Sequence, residues 1–167
     1  VQEATAATYG MIEMVDDAVG RILDHLEATD QRVNTIIVFT SDHGDMMGDH
    51  GLMLKGFMHY RGTLHVPLVI SVPGQKANRT TRLASSIDLG PTLLDLCSIQ
   101  GYDGIQGYSL KPMIQDPIAS VRDAVLIEDD IAPLIASMTP IPAKTRTVIT
   151  DTYRYTRNSK REEQLID

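Results

Sequence analysis

The chain is 167 residues long, 43% hydrophobic and 22% charged, with a net charge of −7 at pH 7. That is about one ordinary domain with enough apolar material for a core, and the acidic balance excludes non-specific nucleic-acid binding from the expected functions. No run approaches the roughly 18 apolar residues of a membrane-spanning helix. The opening VQEATAATYG has neither a basic start nor an apolar h-region, so no signal peptide is expected. The absence of an initiator Met fits a chain cut from something longer. The single cysteine, Cys97, excludes an internal disulfide and a Cys-based zinc cluster, and reads as a lone buried thiol.

Residues Glu3 to Ala28 predict one amphipathic helix. Ile12, Val15, Val19, Ile22, Leu23 and Leu26 recur at helical spacing and mark a buried stripe, with Glu13, Asp16, Asp17, Arg21 and Asp24 between them. Thr29-Asp30-Gln31 ends it. Asn34 to Thr40, NTIIVFT, is the strongest strand signal: short, β-branched and apolar on both faces, as for a buried strand of a parallel sheet. Helix, short loop and buried strand together make an α/β unit. Ser41 to Gly62 then holds five glycines, four methionines, three histidines and three aspartates. A polar segment leaving the C-terminal end of a buried strand is where open α/β sheets bind ligands.

Val66 to Val72 predicts a second strand, with Pro67 at an edge or first-residue position. Thr81 to Ser86 reads as a short strand. Asp88 reads as the cap of a helix over Leu89 to Cys97, with Pro91 in its first turn. Gly101 to Gly107 is a loop. Asp116 to Pro142, with four prolines and little apolar periodicity, reads as irregular. Thr145 to Arg157 alternates β-formers around Thr150-Asp151 and predicts a hairpin. Lys160 to Glu163 is a solvated charge run.

Chemistry concentrates in the glycine-rich segment. Asp42 offers a hard anionic oxygen and His43 a neutral imidazole nitrogen, and the sharp exit at Gly44 lets both meet one cation. As a bare dipeptide they fit a solvated acid beside a polar loop histidine better than a site; the strand-end position is what favours a site. Lys55, thirteen residues after Asp42, is either an exposed loop lysine or a point charge for an anionic substrate. His50 and His59 are polar loop residues or substrate-facing groups, and His59 is grouped with Lys55 as a candidate catalytic residue. Arg61 and His65 suit surface or packing roles. Met46, Met47, Met53 and Met58 suit loop packing.

FTSDHGDMMGDHGLMLKG, residues 39 to 56, resembles the segment of sulfatases, in the alkaline-phosphatase superfamily, that supplies metal and substrate ligands. MVDDAVGRILDHLE resembles the helix before it and HVPLVISVPG the strand after it. SIDLGPTLLDLC, GYSLKPMI and RTVITDTYRYT resemble later landmarks in the same order. The resemblance implies an α/β fold. It would be part of an alkaline-phosphatase-like sheet with flanking helices over 1–142, with a small C-terminal hairpin subdomain opening at 143–167. It also implies Asp42 and His43 as ligands of a divalent metal and Lys55 as the lysine on the sulfate oxygens. Calcium is the metal expected first. Many members carry Asn where this chain has His43, and imidazole also admits manganese or zinc. Sulfatases use a formylglycine made from Cys or Ser in a Cys/Ser-x-Pro-x-Arg motif. Cys97 is followed by Ser-Ile-Gln-Gly, and no serine has the pattern.

The expected function is therefore part of an enzyme hydrolysing sulfate monoesters, with the formylglycine on an N-terminal half of the same protein. Its expected partners are a small sulfate ester or a sulfated carbohydrate, and neither nucleic acid nor membrane. A phosphonate monoester or phosphodiester hydrolase of the same superfamily is the alternative enzyme. A non-catalytic packing or binding module is the alternative outside enzymes.

Overall fold

The computed structural model describes residues 1–55, 58–138 and 142–167. They form two units, Val1–Lys76 and Ala77–Asp167.

In the first unit, helix α1 spans Gln2–Ala28. Its stop is a Schellman motif: Asp30 adopts φ 56°, the Asp30 N–H donates to Glu27 O, and the Gln31 N–H donates to Leu26 O at 2.9 Å. The apolar stripe is present but not buried. No residue of α1 is buried, and Ile12, Val15 and Ile22 are 56%, 52% and 62% exposed. Helical periodicity specifies which face seeks cover, and the described residues do not supply that cover.

A 3-10 turn at Arg32–Asn34 takes the first part of the predicted strand, and β1 spans only Ile37–Thr40. Helix α2 is one turn, Arg61–Leu64, and β2 is Leu68–Ser71, starting just after Pro67. β1 pairs with β2 antiparallel, Ile37 opposite Ser71 and Thr40 opposite Leu68. The expectation of a buried strand in a parallel sheet is thus corrected. Phe39 is 41% exposed, and no parallel pair occurs among the described residues. An all-apolar strand reports two faces that need covering, while pairing direction depends on a partner remote in sequence. The Arg32 guanidinium donates to Ser71 Oγ at 3.0 Å and clips the entry of β1 to the end of β2.

The second unit is organised around Asp88. Residues 81–86 form no strand; they lead into a 3-10 turn, Ser86–Asp88, with a reciprocal capping box between Ser85 and Asp88. The carboxylate therefore turns back onto Ser85, instead of capping α3, Leu89–Leu96, as expected. Pro91 does sit in the first turn of α3. Cys97 follows as its C-cap and is exposed, not buried. Asp88 Oδ2 accepts the Ser85 N–H, and Oδ1 accepts the Tyr108 N–H and the Arg122 guanidinium. Arg122 also lies over the Tyr108 ring, 5.0 Å from its centroid. Thr92 Oγ1 donates to Asp88 O and accepts the Leu110 N–H. Gly107, at φ 90°, lets the loop close on this acid: a Cβ there would lie 2.4 Å from Ile87 O. Helix α4, Lys111–Gln115, follows, and Leu110, Met113 and Val125 are buried.

Residues 116–142 are more regular than expected. They contain β3, Val125–Asp130, and α5, Pro133–Met138. Three acids at the end of β3 mask its strand character in sequence. In the sheet two of them are paired, with Arg146 bridging Glu128 and Asp130 at 2.5 Å each. The predicted hairpin forms as β4, Lys144–Ile149, and β5, Arg154–Asn158, joined through Thr150 to Tyr153. β6, Glu163–Ile166, claims the end of the charge run. The four strands make one antiparallel sheet in chain order, starting at Val125. Thr147 is fully buried on it and hydrogen-bonds Thr156 at 2.7 Å. No helix among the described residues is long and apolar enough to cross a membrane.

Candidate metal and anion site

The site begins one residue beyond β1. Ser41 Oγ donates to His43 O at 2.9 Å and lies 3.3 Å from Asp42 Oδ1. The His43 N–H donates to the same Oδ1 at 2.8 Å. These local bonds fold the exit of β1 into a tight turn. The backbone N–H of His43 holds the Asp42 carboxyl below its ordinary range. With Oδ1 engaged, Oδ2 faces the imidazole, 3.4 Å from His43 Nε2.

The other imidazole nitrogen sets the tautomer. Nδ1 lies 3.0 Å from Gly44 O, which can only accept, so Nδ1 carries the hydrogen. Nε2 is then a lone-pair acceptor, and Lys55 Nζ sits 2.7 Å from it. An ammonium can only donate, so the two assignments agree. His43 Nε2 is thus the exposed atom that both Asp42 Oδ2, at 3.4 Å, and Lys55 Nζ, at 2.7 Å, approach.

Gly44 permits this arrangement. Its N–H donates to Thr63 O at 2.9 Å, and a Cβ on it would lie 1.9 Å from Gly62 O. The turn after β1 and the entry to α2 therefore touch backbone to backbone. Sequence reading noted the exit at Gly44 but missed Ser41 and Gly62. A hydroxyl before an acid is a weak turn signal, and nothing in the pattern announces the partner glycine.

The other candidates fare differently. His59 is buried, 8% exposed, just ahead of α2, and the bonds joining Asp42, His43 and Lys55 run among those three. His50 stacks on Tyr60, centroids 4.2 Å apart, from a left-handed backbone at φ 53°. Arg61 Nε donates to His65 Nδ1 across one turn of α2, as suits a surface pair. Of the four methionines only Met46 is buried; Met53 and Met58 are exposed, so the packing role holds for one and fails for those two. Among the described residues no group of three or more His, Cys, Asp or Glu converges, so Asp42 and His43 stand as two donors and not a complete cage.

The sulfatase family model matches residues 2–99, more than half of the chain. The chain belongs to the sulfatase family. An arylsulfatase of Clostridium perfringens (strain 13 / Type A) is 38% identical over 130 residues, covering 75% of this sulfatase chain and 27% of the relative. Among solved structures, an enzyme in complex with its substrate D-glucosamine-2-N,6-O-disulfate superposes with TM-score 0.81 at 29% identity. That match covers 93% of this chain and 32% of the other. The phosphonate monoester hydrolase of Agrobacterium radiobacter matches with TM-score 0.79 at 32% identity, covering 95% and 34%. The chain spans about a quarter to a third of the length of these relatives. Its fold is the corresponding part of the alkaline-phosphatase-like architecture, in which this sulfatase chain contributes mixed helices and antiparallel strands.

Proposed function

We propose that this chain provides two metal ligands, Asp42 and His43, and a sulfate-binding cation, Lys55, to a sulfuric ester hydrolase. The approach of Asp42 Oδ2 and Lys55 Nζ to His43 Nε2 at the end of β1 carries the reading. Two donors each about 2.1–2.4 Å from one cation stand about 3.0–3.5 Å apart, and Oδ2 and Nε2 are 3.4 Å apart. Their remaining positions are already engaged, Oδ1 by the His43 N–H and Nδ1 by Gly44 O. Such outer bonds orient ligands. The residues fit a divalent cation in kind and spacing. When bound, that cation polarises an ester oxygen as a Lewis acid.

The chain's own groups do the rest. The Asp42 carboxylate supplies the anionic oxygen, with the His43 N–H holding its pKa below the ordinary range. Lys55 presents three N–H donors to the oxygens of a monoanionic ester, and charge moving to the leaving oxygen strengthens that contact as the bond breaks. His59, buried just ahead of α2, is kept with Lys55 as a candidate catalytic residue. Calcium is the cation the family resemblance implies, and the His43 nitrogen also suits manganese. The formylglycine motif is absent from this sequence, so the nucleophile belongs to a segment outside it. The substrate is a sulfate monoester, a small molecule or a sulfated carbohydrate; the neighbour holding a disulfated glucosamine supports the sugar. The second reading is phosphonate or phosphodiester hydrolysis, favoured by the phosphonate hydrolase neighbour and by an imidazole at position 43.

The test is Asp42→Ala in the full-length protein. Metal content by elemental analysis and turnover of an aryl sulfate should both collapse, the latter by about 10³-fold. Wild-type metal content with wild-type turnover would remove Asp42 from the ligands. A higher kcat/KM for a phenylphosphonate ester than for the matching aryl sulfate would favour the second reading.

A further inference from the structure

Lys55 and a metal ion make incompatible demands on one atom. His43 Nε2 has a single in-plane lone pair, because Nδ1 carries the hydrogen that faces Gly44 O. That lone pair is taken up by Lys55 Nζ at 2.7 Å, with Asp42 Oδ2 beside it. A coordinate bond to Nε2 needs the same electrons in the same direction. Lys55 and the cation therefore cannot both hold Nε2.

We propose that Lys55 is a tethered competitor for the cation at His43, and that the cation's arrival expels the ammonium and delivers it to the anionic substrate. This rests on the ligand role proposed for Asp42 and His43. The surrounding backbone suits a side-chain exchange. The Met46 N–H donates to Leu54 O at 3.1 Å, so the chain is pinned one residue before Lys55. Lys55 itself is exposed. Its four-carbon stem can swing while the loop stays in place. No proton is transferred: the imidazole keeps its Nδ1 hydrogen and the ammonium keeps its three. The coupling makes anion binding conditional on the metal, since the lysine that would grip sulfate is withdrawn onto the imidazole until a cation claims Nε2.

The experiment uses the full-length protein stripped of metal with a chelator and titrated with Mn2+ by calorimetry. Wild type, Lys55→Met, Lys55→Arg and Asp42→Ala are compared at low salt and at about 1 M salt, where the screening length is about 3 Å. Lys55→Met should bind Mn2+ roughly tenfold tighter, the scale of releasing one charge-assisted hydrogen bond. The gain should persist at high salt because the contact is direct. Lys55→Arg, which keeps a charged donor, should stay near wild type. Unchanged or weaker Mn2+ binding in Lys55→Met, while Asp42→Ala loses it, would overturn the competition and leave the ligand reading standing. A gain that vanishes at high salt would reduce Lys55 to through-space repulsion and overturn it as well. Wild-type Mn2+ binding in Asp42→Ala would sink the ligand reading, and the competition with it.

Discussion

Asp42 in the first unit and Asp88 in the second are both acids with a basic side chain in reach, His43 and Arg122, and their surroundings are opposite. Asp88 is 0% exposed and both its oxygens are engaged, by two backbone N–H groups and Arg122. Asp42 has a side chain 82% exposed, one oxygen engaged by its own turn and the other aimed at Nε2. A carboxylate whose every acceptor site is satisfied indoors holds a fold together. One that is half satisfied at the surface, beside a second donor of fixed tautomer, keeps an acceptor site open, as the ligand role proposed for it requires. Charge and residue type do not separate the two; the number of engaged acceptor sites and the burial do.

The contrast can be broken most forcefully at the buried pair. Arg122→Met leaves Asp88 as an uncompensated buried charge, which costs about 3–5 kcal/mol when one partner of a buried ion pair is removed. Denaturant unfolding should show that loss while Mn2+ affinity stays at its wild-type value. A loss of stability at the surface level, about 0.5 kcal/mol or less, would mean that Asp88 is not the organising acid.

At the exposed pole, Lys55→Ala should lower turnover on the order of 10²-fold, as for one preorganised donor, with metal content undiminished and stability unchanged. Steady-state kinetics and metal analysis on one preparation decide it, and metal loss accompanying the activity loss would recast Lys55 as a prop for the site. Gly44→Ala sharpens the comparison between these poles. The added methyl meets Gly62 O at 1.9 Å, so the turn must shift by backbone movement. A cost of about 1–3 kcal/mol is expected, together with weaker Mn2+ binding, because the same turn aims Asp42 and His43. Retained Mn2+ affinity would show the site tolerates a looser turn.

The smallest effect lies in the second unit, where Asp95 accepts Lys111 Nζ at 2.8 Å and Ser109 Oγ at 2.6 Å. The Lys111 bond first, then the Ser109 hydroxyl, hold its pKa below the ordinary carboxylate range. A depressed folded pKa gives stability that is present above the unfolded value and lost as pH falls through the folded one. Lys111→Met should thus lower the thermal midpoint slightly at neutral pH, with the difference from wild type closing in acid. A difference that stays constant across the titration would assign the effect to packing of the lysine stem.

Much of the site was legible because its bonds are local. Asp42, His43 and Gly44 are adjacent, and the Ser41 and Gly44 contacts that orient them span one or two residues. The stop of α1 at Thr29-Asp30-Gln31 and the hairpin around Thr150-Asp151 were legible for the same reason. The hidden strand β3 was not, since its acids are acceptable only opposite Arg146 and Lys144 on β4. Nor was the turning of Asp88 away from α3, which depends on Arg122, thirty-four residues on.

By itself, then, the sequence determined which groups stand at positions 42, 43 and 55, where α1 stops and that Thr145 to Arg157 turns back on itself. Each of these follows from residue chemistry within a turn or two of chain. Tertiary structure alone decided that β1 runs antiparallel to β2, that Gly44 meets Gly62, and that the Lys55 ammonium arrives on His43 Nε2. Those outcomes need segments far apart in sequence to close on one another, and which partner wins that closure is settled by competing packing and hydrogen bonding that no single segment encodes.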